Sequence, residues 1–261
     1  MGSNMNYCRL LLGLVSLIYS LSVTADGNQT VAADKEPLHV VFPLVGDTPD
    51  SGPEHPLMNV VRSWAQLIGR EIEIERVPFK RSLLMATNGE ADLHFPMIRP
   101  HHARDGNPYT YSSAPLLTVN FVVYSRKGEN IDLTQPQRYR IATHSGHKHL
   151  FPFAIAEEHT IEGSLRKLDN YRLDAFIFAD SAADPILYGL GLSGLQRKLY
   201  TTFNVHAVIP AGEKGGMADK IISNIAQQMP EETLRLAGVG QPYNDWQVGD
   251  ADVPALVQNS K

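Results

Sequence analysis

Apolar and polar positions along the chain follow two alternating periods, which predict strands separated by helices. Short apolar or alternating runs, typical of strands, fall at residues 39–42, 72–77, 93–95, 119–124, 140–143, 174–179 and 204–210. Apolar residues spaced three and four apart, typical of helices, fall at residues 57–68, 81–88, 148–157, 183–189 and 217–229. Strands that alternate with helices form parallel βαβ units, whose sheet is covered on both faces. The pattern therefore predicts an α/β protein.

The strands and helices form two series, and this predicts two lobes. The second series begins near Tyr139, and one strand and one helix are left over after it. A leftover pair of this kind indicates that the chain returns to the first lobe. We therefore expect residues 38–126 plus 207–246 to form lobe one, residues 129–203 to form lobe two, and residues 247–261 to form a C-terminal tail.

The N-terminal region has the pattern of a secretory signal peptide. Arg9 precedes an apolar run over residues 10–18, and small residues follow up to Ala25. The apolar run is shorter than the roughly 20 residues that span a bilayer. We therefore expect residues 1–25 to be a cleaved signal peptide, residues 26–37 a flexible arm, and the mature protein periplasmic. An uncleaved membrane anchor is the alternative interpretation.

Composition narrows the function classes. The chain of 261 residues is 43% hydrophobic and 20% charged, proportions typical of a globular protein rather than a disordered one. Its formal charge of -5 gives no basic surface for nucleic acid, so no nucleic-acid partner is expected. The single cysteine, Cys8, precedes the apolar run and cannot form an intramolecular disulfide. No P-loop, G-x-G-x-x-G, G-x-S-x-G or H-E-x-x-H motif is present, so no cofactor and no enzymatic activity are predicted.

Several segments, taken in order, resemble the periplasmic solute-binding proteins of family 3, the polar-amino-acid type. The segment VPFKRSLLMATNGEADLHFPMIRPHHAR is similar to the family's V-P-W-x-x-L…G-x-x-D stretch and its following arginine loop. YRIATHSGH resembles the turn that opens the second lobe, and NYRLDAFIFADSAADPILY resembles the G-R-x-D-A-V strand. The resemblance extends from about residue 38 to 246.

This resemblance implies a type II periplasmic-binding-protein-like fold, with two α/β lobes and a cleft between them. It implies a monomer that binds a small polar, carboxylate-bearing, amino-acid-like ligand by hinge closure. The bound form would then deliver the ligand to an ABC permease or signal to a membrane sensor protein. Cyclohexadienyl dehydratases also resemble this family, so a periplasmic dehydratase or lyase remains an alternative.

The first-lobe site residues follow from the loop after the third strand. The resemblance places a carboxylate-binding arginine at Arg104, the family's loop threonines at Arg99 and His101, and an aromatic cover at Phe79. Open α/β sheets bind ligands at the carboxyl ends of their strands, and a guanidinium holds a carboxylate by two parallel hydrogen bonds. A solvated basic loop is the alternative interpretation of the two arginines.

The second-lobe site residues lie in one turn and at one strand end. The turn Thr143, His144, Ser145 and Gly146 can offer hydroxyls and backbone amides to an anion. Asp180 follows a buried strand and can either bind a ligand amine or cap the next helix.

The spacing of His144, His147 and His149 also permits a metal site. No fourth ligand accompanies the three histidines, so a metal or metal-chelate binding protein is only an alternative. Ordinary hydrogen-bonding or surface histidines are the favoured interpretation of this segment.

Overall fold

The structure is a computed structural model, and it describes residues 36–44, 55–101 and 109–250. The expected signal peptide and Arg104 lie outside these ranges, as do most of the expected arm and tail. Within the described ranges, no helix has both the length and the apolar character needed to cross a membrane.

The described ranges contain nine strands and six α-helices. The strands are β1 Leu38–Pro43, β2 Ile72–Val77, β3 Leu93–Arg99, β4 Thr110–Tyr111, β5 Leu117–Arg126, β6 Ile141–His144, β7 Ala156–Glu158, β8 Ala175–Ala179 and β9 Leu195–Ile209. The helices are α1 Pro56–Ile68, α2 Phe79–Thr87, α3 Ile161–Asp169, α4 Asp180–Leu190, α5 Gly212–Gln228 and α6 Glu231–Leu236. Short 3₁₀ turns lie at Pro136–Arg138 and Lys148–Leu150.

The strands form one mixed sheet in the order β2-β1-β3-β9-β5-β8-β6-β7, with β4 paired to β9. Both ends of this sheet are parallel, as the alternation of strands and helices predicts. The middle is antiparallel, because β9 runs against both β3 and β5, and β5 runs against β8. The prediction of an α/β fold is confirmed.

Two large hydrophobic cores lie along this sheet. The first core joins β1, α1, β3 and α5 around Trp64 and Phe95, and the second joins β6, β8, α3 and α4 around Phe121 and Phe176. The antiparallel strands β5 and β9 contribute residues to both cores. On β9, for example, Phe203 is buried in the second core and Val205 in the first. The adjacent cores and the two strands that pass between them correspond to the two-lobed architecture.

The pairing of β5 with β9 is irregular at one point within the second core. Phe121 is opposite Thr201, whereas the next residue, Val122, is opposite Leu199. Tyr200 therefore has no partner across the ladder, which is the arrangement of a β-bulge. The bulge bends the strand pair inside the second core, a few residues before β9 enters the first core at Val205.

Two predictions about secondary structure are wrong. Residues 148–157 form a 3₁₀ turn and then β7 rather than a helix. Pro152 explains this difference, because proline lacks an amide hydrogen and disfavours helical backbone at the residue before it. The sequence interpretation also missed α3, whose N-cap Thr160 accepts a hydrogen bond at its hydroxyl from the amide of Gly163.

Two strands are longer than their apolar runs predict. β3 continues through Pro96 to Arg99, so Arg99 belongs to a strand rather than to a loop. β9 begins at Leu195, well before the predicted start at residue 204. Antiparallel pairing stabilises both extensions, since β3 pairs with one end of β9 and β5 pairs with nearly all of it.

Candidate functional site

Three of the predicted site residues lie at or just after the ends of β3, β6 and β8. Arg99 ends β3, His144 ends β6, and Asp180 immediately follows β8. Arg99 is exposed, and its guanidinium carbon lies 5.6 Å from the centre of the Tyr111 ring. The exposed guanidinium remains accessible to an anion, because its aromatic neighbour neutralises no charge.

Polar contacts through Thr202 of β9 and Asn120 of β5 connect residues that follow β3 and β8. His101 Nε2 lies 3.1 Å from the carbonyl oxygen of Thr202 and 3.3 Å from Thr201 Oγ1. The Thr202 hydroxyl donates to Asn120 Oδ1 at 2.9 Å, and Asn120 Nδ2 donates to Asp180 Oδ2 at 3.0 Å. We call His101, Asn120, Asp180, Thr201 and Thr202 the Thr202 cluster. It connects predicted ligand-binding residues from both halves of the sheet.

Asp180 is the only carboxylate in the Thr202 cluster. Its Oδ1 accepts a hydrogen bond from the amide of Ser181 at 2.7 Å. Burial raises the pKa of its carboxyl group, although the bonds from Asn120 and Ser181 act in the opposite direction. Asp180 is the first residue of α4 rather than its N-cap, which is Ala179. Its carboxylate can accept a further hydrogen bond or pair with a cationic group.

Two buried phenylalanines of the second core pack against the Thr202 cluster. The His101 ring stacks on Phe203 with 4.9 Å between ring centres and 19° between planes. Phe203 in turn meets the edge of Phe121 at 5.0 Å, and both phenylalanines are buried. The imidazole is thus fixed by a stacking contact on one face and polar contacts at its edge, although the residue itself is exposed.

The predicted anion-binding turn after β6 is bonded to the neighbouring strand β7. The amide of Ser145 donates to the carbonyl of Glu158 at 2.8 Å, and the amide of Gly146 donates to Glu157 Oε1 at 2.7 Å. Thr143 is fully buried, and its hydroxyl has no hydrogen-bond partner among the described residues. The turn therefore holds an anion, but this anion is a carboxylate of the protein itself.

The histidines of this turn contact one another and the turn backbone. His144 and His147 lie with ring centres 5.9 Å apart, and the Nδ1 atom of each is within 3.2 Å of the Ser145 carbonyl oxygen. Burial lowers the pKa of His147 to about 4, so the ring is neutral near pH 7. No group of three or more metal-ligating side chains exists within the ranges that the structure describes, so the geometry does not support the metal-binding alternative.

Phe79 begins α2 directly after β2 and is 43% exposed. Its ring meets the edge of His94 at 5.5 Å, and His94 Nδ1 lies 2.6 Å from Ser82 Oγ. The exposed part of Phe79 can cover a ligand, whereas its inner edge shields a buried histidine.

Two surface grooves lie away from the predicted site residues. One groove of about 430 Å³ is lined by residues 148–149 and 151–155, and another of about 460 Å³ lies between α1 and α6. Neither groove is lined by a predicted site residue.

Sequence interpretation missed three members of the Thr202 cluster: Asn120, Thr201 and Thr202. Asn120 carried a usable signal, because it is a polar residue within the apolar run of β5 and is only 4% exposed. A buried amide in a strand needs hydrogen-bond partners, which marks it as a structural or functional centre. The two threonines carried no such signal, since threonine is common in strands.

No protein-family model matches the sequence, and no curated protein sequence matches it significantly. Solved structures do match. A histidine kinase sensor domain with similarity to periplasmic binding proteins is 13% identical, with a TM-score of 0.59, over 79% of this chain and 98% of that one.

Two further structures support the same fold. The arginine-, lysine-, histidine-binding protein ArtJ from Geobacillus stearothermophilus is 14% identical, with a TM-score of 0.54, over 77% of this chain and 93% of that one. The periplasmic VFT2 domain of Bordetella pertussis BvgS is 14% identical, with a TM-score of 0.56, over 77% of this chain and 91% of that one. The chain therefore has the two-lobed fold of the periplasmic binding proteins.

Proposed function

We propose that the chain binds a small polar, carboxylate-bearing solute between its two lobes, in the periplasm, and closes around it. The observation that carries this proposal is the Thr202 cluster, in which His101, after β3, lies within hydrogen-bond distance of Thr202 and Asp180, after β8, is joined to Thr202 through Asn120. Grooves where strand ends converge in α/β folds are the usual place for small ligands. An amino-acid-like solute fits best, because the Asp180 carboxylate follows β8, whereas the exposed Arg99 guanidinium and the His101 imidazole lie at the end of β3.

The two charged ends of such a solute have separate partners. Arg104 and the exposed Arg99 would hold the carboxylate, since guanidinium groups bind carboxylates with two parallel hydrogen bonds. Asp180 would accept from the amine, because its carboxylate lies at the cluster and has hydrogen-bonding capacity left. The self-bonded turn at Gly146 would contribute only if a ligand displaced Glu157.

We further propose that residues 38–126 plus most of 207–246 form lobe one and that residues 129–203 form lobe two. Ala207 packs in the first core, in keeping with this division, whereas Phe121–Tyr124 of β5 pack in the second core, which argues for a first boundary near Asn120. Trp246, however, packs in the second core, which argues for a boundary nearer Val239. A cleaved signal peptide over residues 1–25 and delivery to an ABC permease or a membrane sensor complete the proposal.

The experiment is a thermal-shift screen of amino acids, organic acids and polyamines, followed by calorimetry on variants. We expect Arg104→Ala and Asp180→Asn each to weaken binding of the best amino-acid ligand by about 30- to 1000-fold. Asp219→Asn is the matched control, because Asp219 also accepts from a backbone amide, that of Ser113, but lies on α5. Wild-type affinity in both site variants, with the fold intact, would contradict the proposal.

One observation bears on the dehydratase alternative. A dehydratase needs an acid in its cleft, and burial raises the pKa of Asp180 in the Thr202 cluster. We expect no turnover when the purified protein is incubated with prephenate or arogenate. Turnover that disappears in Asp180→Asn would replace the binding proposal with a lyase.

A further inference from the structure

The last described segment, Gln241–Asp250, runs along the sheet from the first core toward the second, and we call it the C-terminal strap. Just before it, Val239 packs against the first core. Within it, Trp246 and Val248 are buried in the second core, and Tyr243 packs against the same core. The strap is therefore a third connection between the cores, in addition to β5 and β9.

Arg197 of β9 anchors the strap. Its guanidinium carbon lies 5.0 Å from the Tyr243 ring centre and 4.5 Å from that of Trp246, so strap aromatics cover the cation. Its Nη2 donates to the carbonyl of Asn244 at 2.6 Å and pairs with Asp184 at 3.2 Å. The side chain is only 3% exposed. These contacts make Arg197 an attachment point for the strap on β9.

Backbone contacts strengthen the same anchor. The side chain of Gln247 accepts from the amide of Arg197 at 3.3 Å and donates to its carbonyl at 3.3 Å. These two bonds attach the strap to β9 on the N-terminal side of the bulge at Tyr200. On the other side of the bulge, Asn120 Nδ2 donates to the carbonyl of Gln241 at 2.9 Å.

The strap thus contacts the β5–β9 pair on both sides of its irregular point. Asn120 is opposite Thr202 in the ladder, and Arg197 is opposite Tyr124, so the bulge at Tyr200 lies between the two anchors. The chain also passes from Val239 at the first core to Trp246 in the second, so a change in the angle between the cores displaces one end of the strap relative to the other, and an attached strap resists that change.

The anchor is also suited to release. Arg197 Nε and Nη1 have no hydrogen-bond partner among the described residues, so exposure to water would satisfy both groups. Release of the strap would therefore allow water to bond the Nε and Nη1 groups of Arg197. It would also expose the rings of Tyr243 and Trp246, which opposes release. We propose that the attached C-terminal strap sets the angle between the two cores, and that its release allows this angle to change.

The first test is release of the strap in Tyr243→Ala/Gln247→Ala. Both side chains are only partly buried, so the second core keeps Trp246 and Val248. We expect chymotrypsin to cleave after Trp246 on the order of ten-fold faster than in the wild type, because cleavage requires local opening. Tyr171→Ala is the matched control, since it removes a ring 4.5 Å from Arg126 at a site outside the strap.

The second test measures the angle between the cores without a ligand. Spin labels on Glu162→Cys in α3 and Lys220→Cys in α5, with Cys8→Ser, report the distance between the cores. We expect a single narrow distribution with the strap attached, and a broader or shifted one in Tyr243→Ala/Gln247→Ala.

Two results would overturn the proposal. One is unchanged cleavage in the variant; the other is faster cleavage with an unchanged distance distribution. If circular dichroism shows that the double variant is unfolded, Gln247→Ala alone undergoes both measurements with the same expected direction.

Discussion

One buried histidine, His94, makes the stability of the folded protein sensitive to acid. Burial lowers the pKa of His94 to about 4, and His94 is fully buried against Ser82 and Phe79. Between pH 6.5 and pH 4 the unfolded chain binds a proton at this residue that the folded protein does not. Stability from His94 is therefore complete above pH 6.5 and is lost as the pH falls toward 4.

We expect the free energy of unfolding to fall by up to about 3 kcal/mol through His94 over this range. His94→Asn, which keeps a group able to bond Ser82, should be less stable near pH 7 but should have a shallower slope with pH. Urea denaturation of both proteins from pH 7.5 to 4.5 tests this. The difference between the two curves isolates His94 from other titrating groups, and parallel curves would show that its protonation has no linkage to folding.

Tyr171 is a residue whose backbone conformation departs from what its type prefers. It has a φ of 59°, in the left-handed region that favours glycine, and its ring lies 4.5 Å from the Arg126 guanidinium. The resembling family motif has glycine at this place. The stacking contact offsets part of the backbone cost of about 1 kcal/mol that a non-glycine residue incurs here.

At the scale of helices, α5 shows how close packing selects a residue. A Cβ atom on Gly215 would lie 1.9 Å from the carbonyl oxygen of Pro210, whereas a Cβ on Gly216 would meet nothing within 4 Å. The turn from β9 into α5 is therefore possible only because Gly215 has no side chain.

These adjacent glycines give a matched pair of substitutions. We expect Gly215→Ala to destabilise the protein by about 3 kcal/mol or more, because backbone must move to relieve the overlap. We expect Gly216→Ala to stabilise it by about 0.5–1 kcal/mol through helix propensity. Chemical denaturation of the two variants measures both effects, and a stabilising Gly215→Ala would mean that β9 and α5 approach less closely.

At the scale of the whole molecule, the Arg197–Asp184 pair connects the strap to the second core. Asp184 Oδ1 also accepts from the Tyr124 hydroxyl at 2.7 Å. Burial raises the pKa of Asp184 to about 7, while Arg197 and Tyr124 act in the opposite direction. Since the folded-state pKa lies above the unfolded value, the stability that Asp184 contributes is lost as the pH rises from about 4 to 7.

Removing Arg197 should extend this loss to higher pH. We expect Arg197→Met to destabilise the protein by about 3–5 kcal/mol at pH 8, because Asp184 then has no buried cation to pair with. The loss should be smaller at pH 6, where the carboxyl group can stay protonated. Thermal or urea unfolding at both values tests this, with Arg197→Met/Asp184→Leu as the pH-independent control; an equal loss at both pH values in the single variant would contradict it.

The sequence by itself determined the α/β class, most strand positions and the helix α1 with its terminal Gly69. These features depend on local periodicity and on backbone preferences, which are present in any short segment. Gly69, for example, has the positive φ of 58° that a helix-ending glycine commonly adopts. The resemblance to binding proteins likewise depended on short segments in order, and the solved structures support the fold that it implied.

Only the tertiary structure decided the antiparallel middle of the sheet, the length of β9 and the members of the Thr202 cluster. Thr202, Asn120 and His101 are far apart in sequence, and no local pattern indicates that one hydrogen-bond chain joins them. The same holds for the strap, since Arg197 and Trp246 acquire their roles only when β9 and the last segment meet. Pairing between distant segments depends on which surfaces the whole fold brings together, and a single sequence does not encode that locally.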